Sequence, residues 1–494
     1  MFLKTADKTF SPLVFQILIL VATAFMLVPF IHYAYGGYVK YILLFGILVC
    51  IYQFFRNGFQ NLLKDKASIA LLCFAFFYFV TILLNRHTMF AENIKQLAYM
   101  LVFFLLLTFP KGKKTETMPQ ILYFLVAATM FLSANSFVTY LFNINEWYVL
   151  DAEYYVGMYG SYRFWGFYNP NTCGAIAVVS IIASLYVLID KRIKNKVARM
   201  ALILIAIVNI ILQYVVLLLS ESRGAFYSFL FVIAVLAFFG VFKNYRPEKI
   251  SAVLRVMIAI CVSVILALML LKCSTFIQHS KDKLCIVSSE DSENISKDTN
   301  YENYLEEILK KYSSDTSALA GVFRVNTMSL KDSFASAVSR SDISDTTGRL
   351  PIWKAAVTVF KEKPVFGWTH EGSIEPLNTT YEQIFNSHTK SIVGGGLHNE
   401  YLTILCSSGI VGFICFLAVV LITLSRFAGL LIKKEKISID VLISFSMVLY
   451  FLVSELVESR ILYTVSFYNV VFWLNLGYLN YYCLRGKTKG AEEV

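Results

Sequence analysis

A few arginine and histidine side chains stand beside long apolar stretches, where ionisable groups are rare and usually functional. Arg223 lies in SESRGAF, in a turn of only a few residues between two such stretches. Gly224 beside it lets another group approach the backbone. A guanidinium held in this way can bind a phosphate or a carboxylate through a planar two-point contact. The alternative is an interfacial arginine that pairs with lipid phosphate or with Glu221.

Two more arginines precede predicted helices. Arg163 stands in RFWGFYNPN, where Asn169 and Pro170 are typical of a capped helix start; a helix start within an aromatic belt is the plainer interpretation. Arg349 opens RLPIWKAAVTVFKEK, which predicts a short helix with Pro351 in its first turn. Thr347 or Gly348 would cap that helix. Its apolar stripe comprises Ile352, Trp353, Ala356, Val357 and Phe360. Such a helix can lie on the membrane surface, or it can be an ordinary amphipathic helix with a solvated arginine.

His398 follows three glycines at the start of the apolar segment HNEYLTILCSSGIVGF. Among unperturbed side chains, histidine alone exchanges protons near neutral pH, so His398 is the candidate general base. A structural histidine is the alternative. Farther along the chain, Glu455, Glu458 and Arg460 cluster between two apolar stretches. They either position a polar substrate or pair with one another.

Metal and nucleotide chemistry have no matching motif. The chain has six histidines, without an HxxxH or CxxC pattern, and no GxxxxGK[ST] or GxGxxG loop. We therefore expect no metal or cofactor, and a donor that carries its own leaving group, as a lipid diphosphate does. Cys273 and Cys285 follow one apolar stretch, and a disulfide between them stays open.

The elements that must position these residues are membrane helices. The 494 residues are 57% hydrophobic and 16% charged, well outside the range of soluble domains. A transmembrane helix needs about 20 apolar residues. We find twelve candidate stretches: 13–31, 39–55, 68–84, 94–109, 119–142, 172–189, 198–219, 224–242, 252–272, 397–424, 438–455 and 461–483. The predicted fold is an all-α polytopic membrane protein with about twelve transmembrane helices.

The net charge of +11 is explained by topology. Lysine and arginine concentrate in alternate short loops, such as 191–199 and 243–255. The positive-inside rule then places both termini in the cytoplasm. Nucleic-acid binding is not predicted. Arg163, Arg223, Arg349, Arg460 and His398 all fall on the extracytoplasmic face, and they suit an anionic lipid-linked substrate and one proton transfer. Asn399 and Glu458 complete the predicted substrate-binding set.

Three regions follow from this topology. Residues 1–272 form a membrane domain with spans one to nine. Residues 273–396 form a large extracytoplasmic loop, with a variable insertion at about 273–340, a short helix near 301–312, and a site-bearing part at about 346–396 that carries the amphipathic helix. Residues 397–494 hold spans ten to twelve and a cytoplasmic tail.

Four motifs in this order resemble the O-antigen ligase and O-antigen polymerase superfamily: RFWGFYNPN, SESRGAF, GRLPIW with PVFGW, and HNEYLTILCSSGIVG. The resemblance covers about residues 150–480. It implies a glycosyltransferase of the bacterial cytoplasmic membrane that uses polyprenyl-diphosphate-linked glycan on the outer face. It further implies that Arg223 and Arg349 engage the diphosphate, that His398 is the base on the acceptor hydroxyl, and that no metal is required.

Within this resemblance we favour a polymerase of lipid-linked repeat units for O-antigen or capsule-type surface polysaccharide. A ligase that transfers glycan to a lipid, a teichoic polymer or a protein is the alternative. A glycan flippase or transporter is disfavoured because most charged residues avoid the middle of the membrane, where transporters bind their substrates. The expected partners are the glycan donor, the acceptor and membrane lipid, with a flippase and a chain-length regulator as candidates.

Overall fold

The computed structural model describes residues 7, 9–57, 65–108, 117–141, 144–149, 152–159, 163–244, 251–280, 323–325, 349–385, 396–433 and 437–488. Its α-helices are α1 (Pro12–Phe25), α2 (Pro29–Tyr35), α3 (Val39–Asn57), α4 (Lys66–Leu84), α5 (Phe90–Leu106), α6 (Thr117–Leu141), α7 (Pro170–Ile189), α8 (Lys196–Leu219), α9 (Arg223–Asn244), α10 (Ala252–Ser280), α11 (Arg349–Glu362), α12 (Ile374–Phe385), α13 (Glu400–Lys433), α14 (Ile439–Ser454) and α15 (Phe467–Thr488). Its strands are β1 (Ile144–Val149), β2 (Ala152–Tyr155), β3 (Gly157–Tyr159), β4 (Arg163–Gly166) and β5 (Phe323–Val325).

A helix lies over each of the twelve apolar stretches. Within the described ranges, eight helices are long and apolar enough to cross a membrane, and α1 and α14 are shorter apolar helices. The prediction of an all-α polytopic membrane protein is confirmed at this level. The number of twelve spans stays a prediction. The helix over the ninth apolar stretch, α10, continues past residue 272 to Ser280.

The chain divides into two compact units. Unit 1 comprises Met1–Phe25, Tyr35–Met118 and Thr346–Val494. In it α4 packs against α5 and α13, α15 packs against α13 and α14, and α11 packs against α12 and α13. Large aromatic side chains fill this core, as where the Trp473 and Phe104 ring centroids lie 4.9 Å apart.

The long helix α13 is broken at Gly409, whose φ of 62° and ψ of −169° are not helical. The segment after α11 completes the broken turn. Trp368 N–H donates to the Cys406 carbonyl at 2.8 Å, and Ile410 N–H donates to the Pro364 carbonyl at 2.8 Å. A side chain at Gly409 would overlap the Val365 backbone, so only glycine fits this crossing. The backbone of 364–369 is thereby attached to α13.

Unit 2 comprises Met26–Ala34 and Pro119–Asp345. In it α7 packs against α8 and α9, and α9 packs against α10. The strands form two small antiparallel groups, with the orders β2-β1-β5 and β3-β4. The apolar pattern of the sequence does not predict these strands. Strands β1 to β4 occupy the Tyr- and Trp-rich segment 143–171, where β-forming aromatic residues replace the apolar runs of the helices, whereas β5 lies farther along the chain.

Several predictions fall outside the described residues. These are the helix near 301–312, nearly all of the insertion at about 273–340, the cap at Thr347 or Gly348, and Cys285 as a disulfide partner. Cys273 itself is an exposed residue of α10.

Candidate functional site

Arg349 is the first residue of α11, and the packing of this helix determines where its side chain lies. The buried face of α11 consists of Ile352, Ala355, Ala356 and Val359. It packs against Leu377 of α12 and Leu397 and Cys406 near the start of α13. The predicted stripe is therefore only partly right: Val357 is 39% exposed. The buried face is rotated toward Ala355 and Val359 because it packs against α12 and α13.

His398 sits in a short segment that is held on both sides. On the side before it, Trp353 Nε1 of α11 donates to the Leu397 carbonyl at 3.0 Å. On the side after it, Asn399 N–H donates to Ser459 Oγ at 2.9 Å. His398 itself has a φ of 48°, in the left-handed region that costs most side chains energy and is common at functional sites. The imidazole is thus placed by the backbone on either side of it.

Asn399 caps α13. Its Oδ1 accepts from Leu402 N–H at 3.0 Å, and its Nδ2 donates to the Leu456 carbonyl at 3.0 Å. Asparagine is among the preferred residues at such a helix start because its side chain satisfies an otherwise unpaired amide. These bonds join the start of α13 to the segment between α14 and α15. The side-chain amide of Asn399 therefore fixes the backbone immediately after His398.

Glu458 connects the two leading candidates. Its Oε1 accepts from Arg349 Nη2 at 2.9 Å, and its Oε2 lies 3.6 Å from His398 Nδ1. The three side chains are 11%, 19% and 32% exposed for Glu458, Arg349 and His398, so the cluster opens on the histidine side. The structure thus brings together three predicted site residues from three separate segments.

The charge on Glu458 is stabilised by its neighbours. Burial by itself raises the pKa of this carboxyl, but His398 and the charges of Arg460 and Arg349 outweigh burial and hold the pKa below its usual range. Glu458 is therefore ionised at neutral pH. A carboxylate at this position favours the His398 tautomer with the proton on Nδ1 and leaves Nε2 available as a base.

Arg460 pairs with a different carboxylate. Its Nε donates to Glu455 Oε1 at 3.0 Å, and its backbone N–H donates to Glu455 Oε2 at 2.6 Å. Glu455 is fully buried. Of the two interpretations of 455–460, pairing applies to Glu455 with Arg460, whereas Glu458 faces the other way, to Arg349 and His398.

Glu400 lies beneath this pair. Its N–H donates to the Glu455 carbonyl at 2.9 Å, and its Oε2 accepts from Ile461 N–H at 3.4 Å. Its Oε1 is buried and has no hydrogen-bond partner among the described residues. Buried carboxylate oxygens of this kind are commonly satisfied by ordered water.

In unit 2, Arg163 lies at the start of β4 and is held by oxygen atoms around it. Its Nε donates to the Ser220 carbonyl at 3.1 Å, and its Nη2 donates to Asn171 Oδ1 at 3.0 Å. Asn169 caps α7 by accepting from Thr172 N–H at 2.9 Å. The predicted helix start at Asn169 and Pro170 is confirmed.

Arg223 is the first residue of α9 and is exposed. The start of α7 packs closely on this turn, since a side chain at Gly174 would lie 2.8 Å from the Ser222 side chain. The positive end of a helix dipole and unpaired amide groups therefore accompany the guanidinium of Arg223, a combination that suits anions. The role of Arg223 in binding the diphosphate stays a prediction.

A second histidine, His370, is not predicted from the sequence. His370 lies in the segment that meets the break of α13, and its ring stacks on Tyr463 with centroids 4.8 Å apart. The backbone N–H of His370 donates to Tyr78 Oη at 3.2 Å, and burial lowers the pKa of the His370 imidazole to about 4. His370 is therefore neutral at pH 7. No spacing rule singles it out, because its neighbours come from α4 and from the segment before α15.

Within the part of the chain that the structure describes, no group of three or more His, Cys, Asp or Glu side chains could hold a metal ion. The expectation of metal-independent chemistry stays a prediction.

Residues 208–417 match the model of a protein family described as O-Antigen ligase. The match runs from within α8 to within α13 and includes Arg223, Arg349, His398 and Asn399. Arg163, Glu458 and Arg460 lie outside it. No curated protein matches the chain.

Proposed function

We propose, from the match of residues 208–417 to the O-antigen ligase family, that the protein is a membrane glycosyltransferase acting on lipid-linked glycan. Its donor is a polyprenyl-diphosphate-linked oligosaccharide, and its acceptor is a hydroxyl of another lipid-linked repeat unit. The product is a longer surface polysaccharide of the O-antigen or capsule type.

One observation carries this proposal: Glu458 stands between Arg349 and His398, with its two oxygens 2.9 Å from Arg349 Nη2 and 3.6 Å from His398 Nδ1. A glycosyl diphosphate needs positive charge at the departing group and a base at the attacking hydroxyl. Arg349 supplies the first and His398 the second, and both stand within reach of one carboxylate. A guanidinium also suits phosphate oxygens better than an ammonium does.

The proposed reaction is a single displacement. His398 Nε2 accepts the proton of the acceptor hydroxyl, and the oxygen attacks the anomeric carbon of the donor sugar. The bond from that carbon to the diphosphate oxygen breaks, and its electron pair leaves with the polyprenyl diphosphate. Arg349 stabilises the developing charge on the leaving group. By the resemblance, Arg223 has the same role, and Arg163 supports the backbone turn beside it. Asn399 positions His398 by capping α13, and Arg460 positions Glu455 by pairing with it.

The membrane setting follows from the charge pattern of the loops. We propose a multi-pass protein of the bacterial cytoplasmic membrane, with both termini in the cytoplasm and the site on the extracytoplasmic face. The lipid-linked donor would reach that face through a flippase, and a chain-length regulator would act on the product. The activated diphosphate makes a metal or nucleotide cofactor unnecessary.

A second candidate is a ligase that moves finished glycan to a lipid, a teichoic polymer or a protein. The description of the matched family, O-Antigen ligase, favours it. The two candidates share the donor, the leaving group and the base. They differ only in the acceptor that occupies the open side of His398.

Deleting the gene and separating the surface glycan on a gel tests both candidates. Loss of long chains with single repeats retained supports the polymerase, and long chains stranded on the lipid carrier support the ligase. Complementation should work with the wild-type gene and with His87→Gln, an exposed histidine outside the cluster, but not with His398→Gln. Unchanged glycan in the deletion strain would refute both candidates.

A further inference from the structure

The geometry points to Glu458 as a positioning residue that couples donor binding to activation of the base. This inference rests on the proposed function, which assigns Arg349 to the donor diphosphate and His398 to the acceptor hydroxyl. One carboxylate serves both residues, although Arg349 and Glu458 are 109 positions apart in the chain. Binding of the donor to Arg349 therefore alters the interaction of Glu458 with His398.

The two contacts of Glu458 are unequal. Arg349 Nη2 makes a full hydrogen bond to Oε1 at 2.9 Å. His398 Nδ1 stands 3.6 Å from Oε2, which is an ion-pair distance longer than a hydrogen bond. Glu458 thus interacts mainly with Arg349, and its effect on the imidazole is incomplete.

A bound diphosphate changes this balance. Its oxygens attract the guanidinium of Arg349 and neutralise part of the positive charge that Glu458 now sees. The carboxylate then acts more strongly on His398, shortens the contact to Nδ1 and makes Nε2 a stronger base. The base is thereby activated only when a donor is present, because the signal is the negative charge of the leaving group.

Among the residues that the structure describes, few other charges face Glu458. Arg349 comes from α11 and His398 from the segment before α13. Arg460 and Glu455 belong to its own segment, and Tyr450 lies in α14. Arg460 is held by Glu455 at 3.0 Å, so its charge is a constant background. Arg349 is the one neighbour that the proposed donor contacts.

The backbone on both sides of His398 is fixed by hydrogen bonds, so the imidazole stays close to Glu458. Trp353 holds the carbonyl before it at 3.0 Å, and Ser459 holds the amide after it at 2.9 Å. Ser459 is the next residue after Glu458, so the histidine and the carboxylate are attached to the same short segment. A change in the Arg349–Glu458 contact therefore changes the field at the imidazole and leaves its backbone in place.

Coupling of this kind is reciprocal, so protonation of His398 must strengthen donor binding to the same extent. The test is the affinity of purified full-length protein in nanodiscs for polyprenyl diphosphate, between about pH 5 and 8. The wild type should gain about tenfold in affinity as the pH falls, relative to His398→Gln, which lacks the imidazole. The titration of the diphosphate itself is common to all variants and cancels in the comparison.

Glu458→Gln is the decisive variant, since the amide oxygen can still accept from Arg349 while the charge is lost. It should lose most of the extra pH dependence and lower kcat by about 10²-fold, with a much smaller change in affinity at pH 8. Glu458→Asp keeps the charge but shortens the side chain, and it should retain an intermediate coupling. The binding readout does not require an active enzyme, and the Asp variant serves if the Gln variant does not fold.

The outcomes separate the two proposals. If Glu458→Gln and Glu458→Asp both keep the full pH dependence of the wild type, the diphosphate acts on His398 directly and the coupling role is wrong. If the wild type binds polyprenyl diphosphate with the same pH dependence as His398→Gln, there is no coupling. If Arg349→Lys leaves the affinity unchanged, the proposed function itself loses its donor site.

Discussion

Two buried polar networks, one in each unit, show opposite designs. The network of unit 2 lies among α6, α7 and α8 and contains only neutral side chains. Asn209 Nδ2 donates to Ser180 Oγ at 2.8 Å, and Gln213 Nε2 donates to Asn209 Oδ1 at 3.1 Å. Thr129 and Ser133 join it through Ser180 and Gln213, at 2.6 and 2.9 Å. Every member has a partner, as membrane interiors require.

The network of unit 1 is charged and lies where α13 begins and α14 ends. Glu455 and Arg460 form one pair, and Glu458 is shared between Arg349 and His398. It is incomplete, because Glu400 Oε1 has no partner among the described residues and the contact from His398 to Glu458 is long. A complete neutral network holds helices together, whereas a charged and unfinished one can still respond to a substrate.

The largest effect should come from His398→Gln, which keeps size and polarity without useful basicity. We expect turnover to fall by about 10²–10⁴-fold, while the protein inserts normally and still binds polyprenyl diphosphate. Single-turnover assays on purified protein measure this loss. His87→Gln serves as the control, because that histidine is exposed and lies outside the charged network. An active His398→Gln enzyme would move the base to Glu400, Glu455 or Glu458.

The next effect concerns the two arginines assigned to the diphosphate. Arg349→Lys and Arg223→Lys should each lower kcat/KM by about 10–100-fold, because lysine cannot make the planar two-point contact. Arg349→Lys should also loosen Glu458, whose bond to Arg349 measures 2.9 Å. Normal activity at normal expression in both variants would show that any cation suffices, and the diphosphate role would fail.

A smaller effect should appear in stability as the pH is lowered. The pKa of Glu458 is held below its ordinary value, so its pairing stabilises the fold above about pH 4.3 and that contribution is lost as the pH falls through the lowered pKa. The thermal unfolding temperature, measured in detergent between about pH 3 and 7, should therefore fall more steeply with decreasing pH for the wild type than for Glu458→Gln. Parallel curves would mean that the pairing contributes nothing to stability.

The smallest effect should come from the neutral network. Gln213→Leu breaks its bonds to Asn209, Ser133 and the Thr129 carbonyl, and should destabilise by about 0.6–1.7 kcal/mol, from the average to the maximum value for such bonds in membranes. The pH dependence of activity should not change. Ile211→Leu, at an exposed position of the same helix, is the control for α8. A Gln213→Leu protein with an altered pH profile would end the distinction between the networks.

Much of the local structure was predictable. Apolar runs of about 20 residues have no alternative in lipid to a helix, because every backbone group must be satisfied internally. The start of α7 at Pro170 and of α11 at Arg349 followed from capping and proline preferences. Arg349, His398 and Glu458 were singled out because ionisable residues at helix ends are rare in such chains.

Other features could not be predicted from the sequence, because they depend on tertiary packing. Val357 has the right helical spacing for the buried stripe of α11, yet it is exposed, because the direction of the packing partners decides which face is covered. Gly409 looks like a glycine of close helix contact, but it marks a break in α13. The break is stable because Trp368 and Thr369 donate to the carbonyls of Cys406 and Ser407. Hydrogen bonds from a distant segment leave no local signature.

The sequence by itself determined that this is a helical membrane protein with a set of arginines and one histidine at helix ends, since hydropathy, helix propensity and capping act over a few residues. Only the tertiary structure decided which charges pair. Glu455 and Glu458 are three positions apart, yet one faces Arg460 and the other Arg349 and His398. Electrostatic partners are chosen by distance in space, and the folding of α11, α13 and the segment after α14 brings these residues together.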